Sequence, residues 1–244
     1  MKSFLTGLAV SACAVCTLAI AGQSNPHTPG ALGANDSMSW SQLGPDGSAI
    51  VGPFTALSAL GVVVTGNFDV SPPDNQGLVA VVCPGASVTP TCSWVNAGPG
   101  FNAGDTLLGA FTPDGIGSDG TGPLSLSFSS PVEGVGAWFE AEAYGTYTGA
   151  IEAFDGSTLL GAFGAPSDQN GDPVFNSILE TSPIITSVEF ATSCMKCYEL
   201  QGFGIDTLLM TDQAPTSVPE PSSLFLFAGG LVGVGWRRFA KRSA

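Results

Sequence analysis

The stretch VGAWFEAEAY, from Val135 to Tyr144, decides the expected fold. From Trp138 onward, aromatic or charged residues alternate with apolar residues, most of them small. Successive side chains of a β-strand point to opposite faces, so this alternation predicts a half-buried strand. The aromatic and acidic face consists of Trp138, Glu140, Glu142 and Tyr144. The apolar face, suited to packing inside the protein, consists of Phe139, Ala141 and Ala143.

Further short runs of apolar, aromatic and β-branched residues recur along the chain. Turn sequences such as Pro45-Asp46-Gly47 and Asp155-Gly156 separate them, and the chain contains 33 Gly and 18 Pro. Strands are predicted over residues 60–65, 78–82, 124–128, 135–144, 150–154, 184–190 and 203–210. Because no helical period of useful length occurs outside the two ends, the sequence predicts a mainly β protein with an antiparallel, jelly-roll-like β-sandwich.

One hexapeptide occurs twice, as Thr106–Phe111 and as Thr158–Phe163, and both copies read TLLGAF. At the same offset, Trp138 is matched by Phe190. Two copies are too few for a solenoid. They predict equivalent strands in the two halves of a sandwich, and the alternative is chance similarity in a β sequence of low diversity.

The C-terminus has three parts in a fixed order. A rigid Pro219-Glu220-Pro221 motif comes first, because each proline fixes its own φ angle. An uncharged apolar stretch, residues 222–236, follows and would give about 22 Å of helix. A basic tail completes the order and consists of Arg237, Arg238, Lys241 and Arg242.

This order resembles the PEP-CTERM protein-sorting signal. The resemblance implies export, transient anchoring in the inner membrane by the C-terminal helix, and processing near the motif by an exosortase. The basic tail favours a cytoplasmic C-terminus. Residues 218–244 are therefore identified as the sorting signal, and an ordinary C-terminal anchor without processing is the alternative. The series PVEGVGAWFE, AIEAFDGSTLLGAF, ITSVEF and FGIDTLLM also resembles β-sandwich modules that precede this signal, some similar to carbohydrate-binding jelly rolls.

The N-terminus is typical of a secretory signal peptide. Lys2 precedes an apolar stretch over residues 4–20, and Ala19-Ile20-Ala21 forms an A-x-A cleavage site. A lipoprotein signal ending at Cys13 is the alternative. Signal peptidase is thus a predicted partner. The expected organisation is a signal peptide at 1–21, an exported β-sandwich body at 22–215 and the sorting signal at 218–244.

The body is strongly acidic. Residues 22–220 contain all 20 Asp and Glu but only one Lys or Arg, Lys196, so their formal charge is 1 − 20 = −19. A chain without clustered cations cannot replace the counterions of phosphate groups, which excludes nucleic acid as an expected partner. The charge fits a protein of the cell envelope or the extracellular space.

Four cysteines remain in the body after signal-peptide removal: Cys83, Cys92, Cys194 and Cys197. An even number in an exported chain favours disulfides, and three pairings are open. Local pairing, 83–92 and 194–197, is the simplest. A thioredoxin-type site needs a helix after the second cysteine, whereas Gly202 and Gly204 follow here.

Signals for metal binding and catalysis are sparse. The acidic loop Asp168, Asn170 and Asp172 has oxygen ligands at alternating positions, as calcium loops do, although Pro173 and Leu179 depart from the EF-hand pattern. Calcium is the candidate cofactor, and a polar turn is the alternative. The single histidine, His27, lies between two prolines, which disfavours a histidine-dependent catalytic triad.

The face of Trp138, Glu140, Glu142 and Tyr144 is the candidate ligand-binding face. Aromatic side chains can stack on sugar rings, and carboxylates can accept hydrogen bonds from sugar hydroxyls. The predicted function is a non-enzymatic surface or matrix protein that binds extracellular polysaccharide. Two alternatives stay open: a glycan-acting hydrolase with a carboxylate pair, which needs only two of the acids, and a purely structural envelope protein.

Overall fold

The computed structural model describes residues 23–50, 52–68, 79–85, 88–89, 92–93, 100–111, 123–141, 146–193 and 202–212. The chain divides into two units, Met1–Asp212 and Gln213–Ala244, and all described residues belong to the first. Within them, no helix is both long and apolar enough to cross a membrane. The predicted signal peptide and the sorting signal lie outside the described residues.

More than half of the described residues lie in strands. One short helix, α1, covers Pro29–Leu32, and a 3-10 turn covers Trp40–Leu43. The strands are β1 (Asp36–Met38), β2 (Ala49–Ile50), β3 (Phe54–Leu57), β4 (Val63–Phe68), β5 (Val79–Pro84), β6 (Val88–Thr89), β7 (Cys92–Ser93), β8 (Thr106–Phe111), β9 (Leu124–Val132), β10 (Gly134–Ala141), β11 (Thr148–Asp155), β12 (Thr158–Pro166), β13 (Val174–Leu179), β14 (Ile185–Ser193), β15 (Gly202–Ile205) and β16 (Leu208–Thr211).

The strands form two main antiparallel sheets, which confirms the mainly β, antiparallel prediction. The larger sheet has the order β1-β16-β10-β15-β8-β5-β2, and β13 also pairs with β10. The smaller sheet has the order β12-β11-β14-β9-β4-β3. Strands β6 and β7 pair separately. The predicted strand at 203–210 is in fact two strands, because Asp206 and Thr207 interrupt it.

The two sheets share one hydrophobic core. Phe139 of the larger sheet packs against Phe190 of the smaller sheet, with ring centroids 5.3 Å apart. Phe203 contacts the same Phe139 ring at 6.0 Å, and all three side chains are fully buried. Burial of such apolar surface is the main stabilising contribution to a fold of this kind.

The repeated hexapeptide lies in both sheets. The first copy is β8 in the larger sheet, and the second is β12 in the smaller sheet. After the first copy, the chain forms β9 in the smaller sheet and then β10 in the larger sheet. After the second copy the order is reversed, with β13 in the larger sheet and then β14 in the smaller sheet. The pairing of β10 with β13 is matched by the pairing of β14 with β9. The copies therefore occupy corresponding positions relative to these pairs, although β8 has neighbours on both sides and β12 is the outermost strand of its sheet.

Candidate functional site

The candidate site lies on the outer face of the larger sheet, at strand β10. Phe139 and Ala141 are buried in the shared core, as the alternation predicts, and so are Val135 and Ala137 earlier in the strand. Trp138 and Glu140 therefore face the other side of the sheet. The other two members of the predicted ligand face, Glu142 and Tyr144, lie outside the described residues. The structure thus fixes the position of half of that face.

This outer face is partly covered by a second, smaller hydrophobic cluster. Its buried members are Val81, Cys83, Phe101 and Leu107, and the half-buried Trp138 packs against them. Register explains the grouping, because Cys83 pairs with Leu107 across β5 and β8. The backbone N–H of Asp206 donates to the carbonyl oxygen of Trp138 at 2.9 Å, which brings Asp206 beside Trp138.

The backbone at Gly100 lies directly on the indole ring of Trp138. A Cβ added to Gly100 would be 2.2 Å from Cγ of Trp138, and the φ angle of Gly100 is 99°. Only glycine combines this backbone conformation with so close an approach. Trp138 also contacts the ring of Phe175 edge-on, with ring centroids 5.6 Å apart. The indole therefore has two fixed neighbours and retains some exposed surface.

Glu140 is buried on the outer face, with 1% of its surface exposed. Across the sheet it pairs with Gly204, which pairs in turn with Gly109. The two positions beside Glu140 on the neighbouring strands β15 and β8 are therefore both glycines.

Tyr147 is a buried neighbour of Glu140. Burial, together with the charge of Glu140, raises the pKa of Tyr147, whose hydroxyl donates to the carbonyl oxygens of Phe139 and Asp172 at 3.0 Å each.

Asp206 is a second buried carboxylate on this side of the sheet, and the sequence analysis did not select it. Its carbonyl oxygen accepts a hydrogen bond from Nε1 of Trp40 at 2.8 Å, which anchors the turn between β15 and β16. Only 8% of its surface is exposed, and Oδ1 accepts no hydrogen bond. Burial raises the pKa of Asp206 to about 6. Hydrogen bonds from Thr207 lower this pKa, whereas the negative charge of Asp105 raises it further.

Chemically, the site brings an aromatic plate together with two carboxylates in different environments. Glu140 lies two residues beyond Trp138 on the same strand and pairs with Gly204. The backbone N–H of Asp206 donates to the carbonyl oxygen of Trp138, so Asp206 lies across from Trp138 on the neighbouring chain segment. A carboxyl group whose pKa lies near neutrality can exchange a proton at physiological pH. In the portion of the chain with described coordinates, no three His, Cys, Asp or Glu side chains are grouped as metal ligands.

The predicted calcium loop is a hydrogen-bonded polar turn between β12 and β13. Oδ1 of Asp168 accepts hydrogen bonds from the backbone N–H groups of Asn170 and Asp172 at 2.9 and 3.0 Å. Oδ2 accepts another from the amide of Asn170 at 3.0 Å. The pKa of Asp168 is lowered, mainly by the hydrogen bond from the backbone N–H of Asp172. The pKa of Asp172 is raised, first by burial and then by the negative charge of Asp168. Calcium binding at this loop stays a prediction.

Among the four body cysteines, Cys83 is described, and it is disulfide-bonded and fully buried. Its predicted partner Cys92 lies in β7, but its side chain is outside the described part of the structure. Cys194 and Cys197 also lie outside it. The pairings 83–92 and 194–197 therefore stay predictions.

Comparisons with known proteins agree with the reading of the C-terminus. The PEP-CTERM protein-sorting motif matches residues 217–238, which include Pro219-Glu220-Pro221 and the first two arginines of the basic tail. No curated protein matches the chain in sequence. Among solved structures, the chain is similar to the enzymatically active domain of tailspike protein 4 of bacteriophage CBA120, with 9% identity and a TM-score of 0.24. That alignment covers 72% of this chain and 19% of the tailspike chain.

Proposed function

Starting from the PEP-CTERM motif at residues 217–238, we propose that this chain is a non-enzymatic protein of the cell surface or extracellular matrix whose body binds polysaccharide. The motif is the observation that carries the proposal, because it implies an exported protein processed by an exosortase-type enzyme. The last strand among the described residues ends at Thr211, a few residues before the motif begins. Processing would therefore release an almost complete β body from its transient anchor in the inner membrane.

The polysaccharide-binding part of the proposal rests on Trp138. Its indole is held in place by Gly100 and Phe175 yet keeps exposed surface, so it can offer a preorganised plate to a sugar ring. Because Glu140 is buried, we do not expect it to bind sugar hydroxyls directly. The acidic charge of the body favours neutral or cationic glycans over anionic ones.

Retention on extracellular polysaccharide tests this proposal. The secreted body should sediment with polysaccharide from the producing cells, and Trp138→Ala should reduce retention at least fivefold while circular dichroism stays unchanged. Leu159→Ala is the matched control, because Leu159 is an exposed apolar residue at 44% exposure on the other sheet. Equal retention of Trp138→Ala and the control would overturn glycan binding at this face.

A second function, glycan hydrolysis, is favoured by one observation. Burial raises the pKa of Asp206 to about 6, so this carboxyl group can hold a proton near neutral pH, and another acid of the body would supply the second carboxylate. Glycosidases use two carboxyl groups in different protonation states, one as the acid and the other as the base or nucleophile. Release of reducing ends from the polysaccharide by the wild-type body, lost in Asp206→Asn with binding retained, would establish hydrolysis. The proposed non-enzymatic role predicts no release by either protein.

A further inference from the structure

The residues that directly follow the predicted signal-peptide cleavage site are part of the folded body. Ser24 forms an antiparallel bridge with Leu179 of β13. The N–H of Ser24 donates to the carbonyl oxygen of Leu179 at 2.9 Å, and the N–H of Leu179 donates back at 3.0 Å. We call residues 23–26 the N-terminal strap.

The strap closes the edge of the larger sheet. Strand β13 pairs with β10 on one side, and Ser24 occupies its other side. Farther along the strap, the hydroxyl of Ser177 donates to the carbonyl oxygen of Pro26. An exposed strand edge is a template for pairing with other chains, so the strap also protects β13.

The strap reaches the smaller sheet as well. The side-chain amide of Gln23 lies on Gly161 of β12, where an added Cβ would be 2.3 Å from Nε2 of Gln23. The same Nε2 donates to Oε1 of Glu180 at 2.7 Å. Gln23 therefore packs closely on Gly161 of the smaller sheet and also binds Glu180, which directly follows β13 of the larger sheet.

Docking of the strap conflicts with an uncut signal peptide. If the apolar stretch at residues 4–20 is still in the membrane, only residues 21 and 22 connect it to the docked Gln23. Two residues span at most about 7 Å, which is close to the thickness of the headgroup layer on one side of a bilayer. A docked strap would press the folded body against the membrane and deny a protease access to the bond after Ala21.

We propose that the strap docks onto β13 only after signal-peptide removal, so that cleavage precedes the last step of body folding. The uncut precursor then keeps the β13 edge open. The proposal rests on the predicted signal peptide and hence on the export part of the proposed function. It is independent of glycan binding and of processing at the C-terminus.

A designed disulfide reports docking in the full chain. Ser24 and Leu179 exchange both backbone hydrogen bonds, and the Cα atoms of such a pair are about 5.5 Å apart, within the range that a disulfide spans. The Ser24→Cys/Leu179→Cys chain is exported with its natural cleavage site or with Ala19→Phe/Ala21→Phe, which blocks cleavage. Peptide mass spectrometry then measures the 24–179 cross-link in each form.

We expect the cross-link in most of the processed protein and at least tenfold less in the uncut precursor. Equal cross-linking in both forms, or none in the processed form, would overturn the proposal. A second measurement avoids the added cysteines: Ser24→Pro removes the N–H donor, whereas Ser24→Ala keeps it. The processed Ser24→Pro protein should melt several degrees lower than Ser24→Ala, and equal melting temperatures would contradict strap docking. Failed export of every form would point instead to an error in the proposed signal peptide.

Discussion

The side-chain amide of Gln42 forms hydrogen bonds with both backbone polar groups of Leu57. Its Nε2 donates to the carbonyl oxygen of Leu57 at 2.7 Å, and the N–H of Leu57 donates to its Oε1 at 3.0 Å. Leu57 is the last residue of β3, the outermost strand on one side of the smaller sheet. The amide therefore takes the place of a neighbouring strand at an edge that would otherwise be open to another chain.

Loss of this amide should weaken and expose the edge. In Gln42→Ala, water replaces both hydrogen bonds, so we expect a loss of about 1 kcal/mol in the free energy of unfolding. Concentration-dependent association should also increase, because Leu57, Leu60 and Val63 expose apolar surface at the same hairpin. Urea denaturation and light scattering measure the two effects. Gln42→Glu is the matched control: it keeps the acceptor, loses the donor, and should fall between wild type and Gln42→Ala.

Buried Asp206 should make stability fall as the pH rises from about 4 to about 6. Its pKa is raised from 3.8 to about 6 in the folded state, so the folded protein binds the proton more tightly than the unfolded chain does. The stabilisation is complete below pH 4 and is lost above pH 6. At about 1.4 kcal/mol per pKa unit, the raised pKa corresponds to a loss of about 3 kcal/mol. Asp206→Asn should remove this part of the pH profile and melt higher than wild type at pH 7.

Other acids also titrate in this range, so the difference between variants carries the test. Asp46→Asn makes the same charge change on an exposed turn and should keep the wild-type pH profile. If the unfolding free energies of wild type and Asp206→Asn run parallel between pH 4 and pH 7, the buried position of Asp206 is wrong.

Local periodicity was enough to predict strand β10 and the direction of its apolar side chains. Ala137, Phe139 and Ala141 are buried because alternation along a strand is a property of neighbouring residues. The repeated TLLGAF was also informative, since its copies are the corresponding strands β8 and β12. Their environments still differ: Leu107 is fully buried, whereas the matching Leu159 is 44% exposed.

The covering of the outer face could not be predicted from the same pattern. Trp138 is partly covered because Gly100 and the cluster around Phe101 lie against it, and these residues are far from Trp138 in sequence. Asp206 was missed for a related reason. It interrupts an apolar run as one polar residue of a turn, and its burial depends on the strands beside it. The pairing of the N-terminal strap with β13 could not be predicted either, because the sequence around His27 has no strand pattern.

The local disulfide pairing predicts a simple peptide map. Mass spectrometry of the non-reduced secreted body should find all four cysteines oxidised, as 83–92 and 194–197. Closing the short loop after Cys83 should contribute about 2–3 kcal/mol to stability, so Cys83→Ser and Cys92→Ser should lower the melting temperature equally. A crossed pairing, free thiols, or unequal losses would count against this pairing.

Calcium binding at the Asp168 loop predicts a rise in melting temperature on addition of calcium. The carboxylates of Asp168 and Asp172 would share the cation, which relieves their mutual repulsion. Asp168→Ala should abolish the rise, while Asp155→Ala, a change in another exposed turn, should keep it. Because Asp168 also binds the backbone of its own loop, the Asp168→Ala protein should melt lower even without calcium. If calcium does not change the melting temperature of the wild-type protein, the loop is a polar turn and not a calcium site.

Sorting through the Pro-Glu-Pro motif is tested by following the chain in the exporting cell. The Pro219-Glu220-Pro221 motif is replaced by three alanines, and Pro215→Ala serves as a control that leaves the motif intact. Immunoblots of membrane and extracellular fractions then measure the length and location of the chain. We predict a shortened, released body for wild type and Pro215→Ala, and a full-length, membrane-held chain for the motif variant. Identical processing of the motif variant and wild type would contradict sorting through this motif.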